Sequence, residues 1–437
     1  MTLVVGLGET GLSCVRYLAS TGVPCAIADS RSAPPGLADV TREYPQLQVR
    51  LGQFDGEWFA NFARLVVSPG VAVNEPAVQT AQRAGSEVIG DVELFARQVE
   101  APVVAITGSN GKSTVTSLVA HMLKHLHCRV LAGANLGPPV LELLAKPTPD
   151  FYVLELSSFQ LETLNSLRPA VASIVNVSPD HLDRYASQRA YAQAKARVYR
   201  GAQTCIYNAD DAQTRTHLPA RARRNSFTLS VPRGRQFGIR YIDGQLWLAQ
   251  GKHLFLSGER IGLRGQHNVA NILAACAIVD ALGFDVTRTA AAISGFTGLP
   301  HRMQYVCERG GVQWINDSKG TNVGATLAAL RGLSAPIVLI AGGDGKHAEF
   351  TPLRDAVTAT RAVILIGRDA PALRAVLQGG TELLDATDMR DAVAKAAAVA
   401  RPGDVVLLSP ACASFDMFAN YQQRGDEFVA AVTELCR

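Results

Sequence analysis

The residues Gly111–Lys112–Ser113–Thr114 set a lysine between a glycine and two hydroxyls, at the end of Val104–Ala105–Ile106–Thr107–Gly108–Ser109–Asn110. A β-branched run from Pro102 to Thr107 feeds this turn, and a helical pattern opens at the lysine. Such a turn aims backbone N–H groups and the positive end of a helix at phosphate. The ammonium adds a point charge, and a hydroxyl reaches Mg²⁺. Ile106 stands where the generic G-x-x-x-x-G-K-[ST] pattern has its first glycine, so this loop is a variant, T-G-S-N-G-K-S-T. Gly108, Ser109, Asn110, Gly111, Lys112, Ser113 and Thr114 are therefore the expected ATP-binding residues.

Other reactive residues sit where strand-like runs stop. Tyr152–Leu154 ends in Glu155, and Ala172–Val177 ends in Ser178–Pro179–Asp180–His181. Parallel strands collect ligands beyond their carboxyl ends, so Glu155 and His181 should share an edge with Lys112. Glu155 suits Mg²⁺, which takes a few carboxylate oxygens alongside phosphate and water. His181 fits a metal ligand, a substrate contact or a polar cap. Lysines are scarce, eight against 34 arginines, yet Lys112, Lys195, Lys319 and Lys346 all fall in these segments. A compact ammonium, or an amine able to lose its proton, does what guanidinium cannot.

The elements that position these groups read as three α/β units. In the first, Leu3–Val5 is a strand, Gly6–Leu7–Gly8–Glu9–Thr10–Gly11 a turn and Leu12–Ser20 a helix; a second strand, Cys25–Ala28, ends in Asp29. This is a Rossmann-like diphosphate fingerprint with its acid about 20 residues on, and alone it would also fit an NAD-linked oxidoreductase. The second unit runs from Pro102, with alternation from Arg235 to Arg260 around an Asp243–Gly244 hairpin turn, then a helix after Gly265–Gln266–His267–Asn268. A helix over Tyr191–Tyr199 carries Lys195. The third unit has strands at Gln313–Ile315, Ile337–Ala341, Val363–Ile366 and Val405–Leu408. The expected architecture is α/β in three domains: 1–91 Rossmann-like, 92–298 a central P-loop-type ATPase domain with a parallel sheet and a small antiparallel appendage, and 299–437 Rossmann-like. Asp317 and Lys319 reach nucleotide only if the domains close over it, which would exclude water from a reactive intermediate.

Composition narrows the class. A chain of 437 residues, 48% hydrophobic and 18% charged, buries ample core. A net charge of +4 without a dense basic block argues against nucleic acid, and Arg221–Arg224 reads as a solvated loop. Eight cysteines without a C-x-x-C pair suit free thiols in a reducing cytoplasm. No signal pattern or membrane-length apolar run is found. An NAD-linked oxidoreductase leaves the phosphate loop and the third unit without a role. A P-loop switch or motor protein would explain Lys112 but predicts nucleotide hydrolysis coupled to a partner, without need of an amine.

The strings AITGSNGKST, YVLELSSFQLE, PDHLDRY, GQHNVAN, GLPHR, NDSKGTN, GGDGK and SPACASFDMF, in this order along the whole chain, resemble those of the Mur ligases. Within that superfamily, where folylpolyglutamate synthases share the chemistry, GLGETG, SPG, GGDGK and SPACAS resemble the glutamate-adding branch. The resemblance implies a cytoplasmic, monomeric amide ligase of peptidoglycan synthesis, with ATP, UDP-N-acetylmuramoyl-L-alanine and D-glutamate as substrates and an acyl-phosphate intermediate. It implies catalytic roles for Lys112, His181 and Lys195, and nucleotide contacts from Asn268, Asn271, Arg302 and Asp317. The first domain would be UDP-sugar-binding, through Asp29, Ser30, Arg31, Ser68 and Gly70, with Asn135 and His181 of the central domain. Lys346, Ser414 and Tyr421, with Thr321 in an adjoining loop, would hold glutamate; Tyr421 departs from the family's phenylalanine. Ser113 and Glu155 would hold one Mg²⁺. His181 and Lys195, carbamylated by CO₂, would hold a second.

Overall fold

The computed structural model describes residues 1–181, 184–263, 265–333, 335–345 and 348–436. Three sheets carry the chain. The first is wholly parallel: β1 (Thr2–Val5), β2 (Cys25–Asp29), β3 (Val49–Leu51), β4 (Arg64–Val67) and β5 (Glu87–Ile89), in the order β3-β2-β1-β4-β5. The strand order reverses between β1 and β4, so the loops Gly6–Gly11 and Ser68–Gly70 face each other across a switch point, where such sheets bind ligands.

The second sheet contains β6 (Val103–Thr107), β7 (Val130–Ala134), β8 (Phe151–Glu155), β9 (Val171–Ile174), β10 (Thr204–Asn208), β11 (Arg223–Phe227), β12 (Phe237–Ile242), β13 (Gln245–Gln250) and β14 (His253–Ser257). Its order is β14-β13-β12-β11-β10-β9-β6-β8-β7. Strand β6 thus lies between β8 and β9, and its phosphate turn emerges beside the ends of both. The appendage is the antiparallel β12–β14, joined at Asp243–Gly244 with both residues at positive φ, the geometry of a tight hairpin turn. It extends the same sheet. The third sheet contains β15 (Gln304–Arg309), β16 (Val312–Asn316), β17 (Ile337–Gly342), β18 (Thr360–Ile366), β19 (Glu382–Asp385) and β20 (Val405–Leu408), in the order β15-β16-β20-β17-β18-β19.

Several local expectations need correction. The first helix begins at Glu9, inside the glycine motif, because Gly11 lies so close to Gly6 that a Cβ there would meet its carbonyl oxygen at 1.9 Å. Strand β9 stops at Ile174, so Val175–Val177 run as an extended segment beside the phosphate turn. The Lys195 helix is Gln188–Ala196, tightening to a 3₁₀ turn over Arg197–Tyr199. Part of Arg221–Arg224 is strand, since β11 starts at Arg223, although the Arg223 and Arg224 side chains are exposed. The strands β5, β7, β10, β15 and β19 were not anticipated. β15 and β19 are edge strands with polar residues at their ends, which weakens any alternation signal.

Cys14, Cys25, Cys128, Cys205, Cys276 and Cys412 are free thiols, but Cys307 in β15 is disulfide-bonded. Which thiols meet is fixed by tertiary placement and not by spacing along the chain. Among the described residues no helix is long and apolar enough to cross a membrane.

One apolar core runs across the first and second domains, containing Val4, Leu7 and Leu12 together with Val92, Phe95, Leu143, Tyr152 and Leu154. The third domain has separate cores, around Trp314 and Phe428 on one sheet face and Leu339 and Leu407 on the other.

Candidate active site

The phosphate turn is built by local geometry and held by a neighbouring strand end. Gly111 adopts φ +78°, and a Cβ there would meet Asn271 Oδ1 at 2.3 Å, so only glycine lets the helix of Asn271 approach. Asn176, a residue the sequence reading passed over, clamps the turn from the end of β9. Its Oδ1 accepts from Asn110 N at 2.9 Å and its Nδ2 donates to Asn110 O at 2.9 Å. The signal available was its position on the same sheet edge as Glu155. Ser109 Oγ donates to Ser178 O at 3.0 Å. Lys112 and Ser113 open the helix Lys112–His125, whose N–H groups face the turn.

Two lysines converge on one carbonyl. Lys112 Nζ donates to Gly108 O and Ser109 O, each at 2.9 Å, and Lys195 Nζ donates to Gly108 O at 2.7 Å. Lys195 is 1% exposed, with its ammonium 4.3 Å from the Tyr191 ring centre. Burial, reinforced by the Lys112 charge, pushes its pKa well below that of an ordinary lysine. Lys112 shifts in the same direction through burial.

Glu155 is also buried. Asn135 Nδ2 donates to its Oε1 at 2.5 Å, while Oε2 has no hydrogen-bond partner among the described residues. A buried carboxylate oxygen without a donor fits a cation, and Ser113 supplies a hydroxyl oxygen at the same edge. Among the described residues no group of three His, Cys, Asp or Glu could hold a metal by itself. A Mg²⁺ here would need phosphate oxygens and water to complete its shell, as Mg²⁺ prefers. His181 sits at φ +54° in the strand-end loop, edge-on to Phe159 at 4.8 Å and 3.7 Å from Asp180.

A cleft of about 360 Å³ separates the central and third domains, lined by Asn110, Gly111, Thr114, Asn268, Asn271, Arg302, Asp317 and Lys319. Asn268 and Asn271 lie on the helix Gln266–Ala281 and bond one another at 3.1 Å. Arg302 Nη2 reaches across to Ser113 Oγ at 2.7 Å, and Asn322 Nδ2 to Asp180 Oδ2 at 3.1 Å. These two contacts bring the third domain against the phosphate turn and the strand-end loop of Asp180, with Asp317 and Lys319 lining the cleft between them. Burial raises Asp317 to about 6, and burial with the Arg302 charge lowers Lys319 to about 8.

Of the residues expected at the UDP-sugar, Asp29, Ser30, Arg31, Ser68 and Gly70 lie at the ends of strands of the first sheet, whereas Asn135 and His181 lie in the central domain, Asn135 on Glu155. Asp29 accepts from Leu7 N at 2.6 Å and from Arg31 N and Nε at 2.9 Å, so it shapes the loop while Ser30 and the half-exposed Arg31 face outward. Ser68 Oγ likewise donates to Gly6 O at 2.9 Å, whereas Gly70 is open. Arg184, also passed over, donates to Pro69 O at 2.7 Å and Val71 O at 3.1 Å. It ties this loop to that of His181. Of the residues expected at glutamate, Ser414 is buried, Tyr421 opens the last helix with Lys319 Nζ 3.8 Å from its ring centre, and Thr321 stands two residues after Lys319. Lys346 lies outside the described residues.

Three family models match successive parts of the chain. Residues 1–90 match the family model "Mur ligase MurD-like, N-terminal domain", 106–279 the "Mur ligase middle domain" and 301–412 the "Mur ligase, glutamate ligase domain". A protein of Nitrosococcus oceani named UDP-N-acetylmuramoylalanine--D-glutamate ligase is 50% identical, covering 99% of this chain and 96% of its own. One of the same name from Pseudomonas aeruginosa is 48% identical, covering 99% and 98%. The fold resembles that of a MurF ligase from Thermotoga maritima solved with ADP, with a TM-score of 0.63 at 17% identity over 99% of this chain and 95% of that one. Three matched domains and full-length identity near one half place this chain in the Mur ligase family of ATP-dependent amide-bond ligases.

Proposed function

We propose that this ligase joins the amine of D-glutamate to the alanine carboxylate of UDP-N-acetylmuramoyl-L-alanine, a cytoplasmic step of peptidoglycan precursor synthesis, and that it acts as a monomer. The supporting observation is that one sheet edge gathers the phosphate turn, Glu155, His181 and Lys195, with Arg302, Asp317 and Lys319 closing over it. The relatives of the same length carry that activity in their names.

In this reading the turn amides, Lys112 and Arg302 offset the ATP phosphates, and Asn268, Asn271 and Asp317 seat the nucleotide. Asp29, Ser30, Arg31, Ser68, Gly70, Asn135 and His181 present the UDP-sugar. Lys346, Ser414, Tyr421 and Thr321 hold the amino acid. The alanine carboxylate attacks the γ-phosphorus and ADP leaves. The glutamate amine then attacks the acyl carbon, and the tetrahedral adduct expels phosphate. Several negative charges meet in this one cleft, and fixed cations and N–H dipoles offset them without reorganisation.

Mg²⁺ would supply Lewis acidity at the phosphates, held in one place by Ser113 and Glu155 and in a second by His181 and a carbamate on Lys195. The burial and depressed basicity of Lys195 support the carbamate. A neutral amine attacks CO₂, an N–C bond forms, one C–O pair becomes an oxyanion, and the nitrogen loses a proton. Phosphate release from Mg·ATP with the nucleotide sugar, scanned across D-Glu, L-Glu, L-Lys and diaminopimelate, tests the whole reading. Release dependent on both the sugar and D-Glu, with an amide product by mass, is expected. Release with another amino acid instead would overturn the substrate assignment and keep the mechanism.

A further inference from the structure

We propose that Arg424 is a positioning residue that holds the nucleotide-side loop 317–319 and the amino-acid-side loop 412–414 in register, so that both substrates meet one rigid frame. The inference rests on the ligase reading above. Arg424 lies in the first turn of the helix Tyr421–Cys436 and is 1% exposed. Its Nε donates to Ser318 Oγ at 3.0 Å, and Nη2 donates to Ser318 O at 2.8 Å. Nη1 donates to Cys412 O at 3.1 Å and Ala413 O at 3.2 Å. Ser318 stands between Asp317 and Lys319, and Ala413 precedes Ser414. One planar fork therefore binds four oxygens drawn from the two loops that carry the expected site residues.

An apolar side chain of similar volume would fill this space without the desolvation cost of a buried cation, a cost visible in the drop of its pKa to about 10. What the guanidinium adds is geometry, since its donors diverge at fixed angles in one plane. The surroundings have the same character. Ser318 Oγ, while accepting from Arg424, donates to Tyr421 O at 2.8 Å. Asn316 Nδ2 approaches both His301 Nδ1 at 3.1 Å and Gly425 O at 3.2 Å. A Cβ at Gly425 would lie 2.2 Å from His301 Nδ1, so the helix presses directly on the loop before β15. The helix end thus ties together the loops of His301, Asp317–Lys319 and Cys412–Ser414, with Tyr421 beneath Lys319.

The test is steady-state kinetics of Arg424→Lys and Ser318→Ala, using whichever amino acid the wild-type protein ligates. Arg424→Lys keeps the charge and loses the fork. Its KM for the amino acid should rise at least about tenfold and its KM for ATP about threefold, because central-domain groups hold most of the nucleotide. The KM for the nucleotide sugar, held far from this helix, should stay within about twofold. Ser318→Ala should show the same pattern more weakly, and the double variant should be no worse than Arg424→Lys, as expected of groups acting as a unit. A purely structural role would lower melting temperature and active fraction with all three KM values unchanged, and that result would overturn the proposal. If Arg424→Lys does not fold, an unmoved amino-acid KM in Ser318→Ala overturns it equally. A wild-type protein that ligates no amino acid would instead refute the functional reading on which the proposal stands.

Discussion

The central domain meets its two neighbours in opposite ways. Towards the first domain the contact is a continuous apolar core, in which Val4, Leu7 and Leu12 share one cluster with Phe95 and Tyr152, whose rings lie edge-on at 5.1 Å. Polar pins surround it: Gln160 to Asp91, and Arg184 to the Pro69 and Val71 carbonyls. Towards the third domain, none of the apolar clusters among the described residues crosses the gap. The contacts there include Arg302 to Ser113 and Asn322 to Asp180, on loops that also carry site residues. Separating the first joint exposes apolar surface, at roughly 25 cal/mol per Å². Separating the second exchanges hydrogen bonds for water at about 1 kcal/mol each. The first joint is therefore a fixture. The second is the joint able to open for substrates and close around them, and in the proposed reading Arg302 trades the Ser113 hydroxyl for phosphate.

The contrast puts the chemistry that neither joint could replace in the central domain, and the largest effect belongs there. Lys195→Arg should lose activity by about 1,000-fold, because arginine cannot form the carbamate proposed here, with bicarbonate or short carboxylic acids partly restoring Lys195→Ala. A fully active Lys195→Arg protein would break this. At the polar joint, Arg302→Met should cut kcat/KM for ATP by about 100-fold while leaving the melting temperature within about 2 °C. A large drop in melting temperature would show that this joint is as permanent as the other.

At the apolar joint the pattern should reverse. Phe95→Ala should cost about 3–5 kcal/mol in urea unfolding, with kcat per folded molecule nearly unchanged. The smallest effect concerns Asp91, buried at the same joint, where loss of solvation lifts its pKa to about 6. The folded chain keeps that proton up to about pH 6, whereas the unfolded chain releases it near pH 4, so stability from this group falls between those values and is flat above. Asp91→Asn should therefore be more stable than the wild-type chain at neutral pH, by about 2–3 kcal/mol. The advantage should widen by about 1 kcal/mol between about pH 5 and about pH 8, and an equal advantage at both would show that Asp91 does not titrate there.

Much of this arrangement was legible in the residues. The glycines at 6, 11 and 111 mark backbone geometry that few other residues tolerate, so the diphosphate and phosphate turns could be read directly. Buried parallel strands show as unbroken apolar runs, and their polar ends gave Glu155 and the Asp180–His181 corner. Edge strands β15 and β19, lacking that pattern, did not show. Nor did Asn176, Arg184 or Arg424, since a lone asparagine or arginine in a helix or loop looks like any solvated side chain until its partners are known.

What the sequence determined by itself is therefore local: torsional preference, the spacing of donors around a turn, and the order of three α/β units. What tertiary structure alone decided is environment. Lys195 is a poor base because Lys112 and the phosphate turn enclose it, Cys307 has a disulfide because a second thiol is brought to it, and Arg424 matters because two distant loops end on its fork. Burial and charge coupling act through space, between groups far apart along the chain, and no spacing rule within a single segment can encode them.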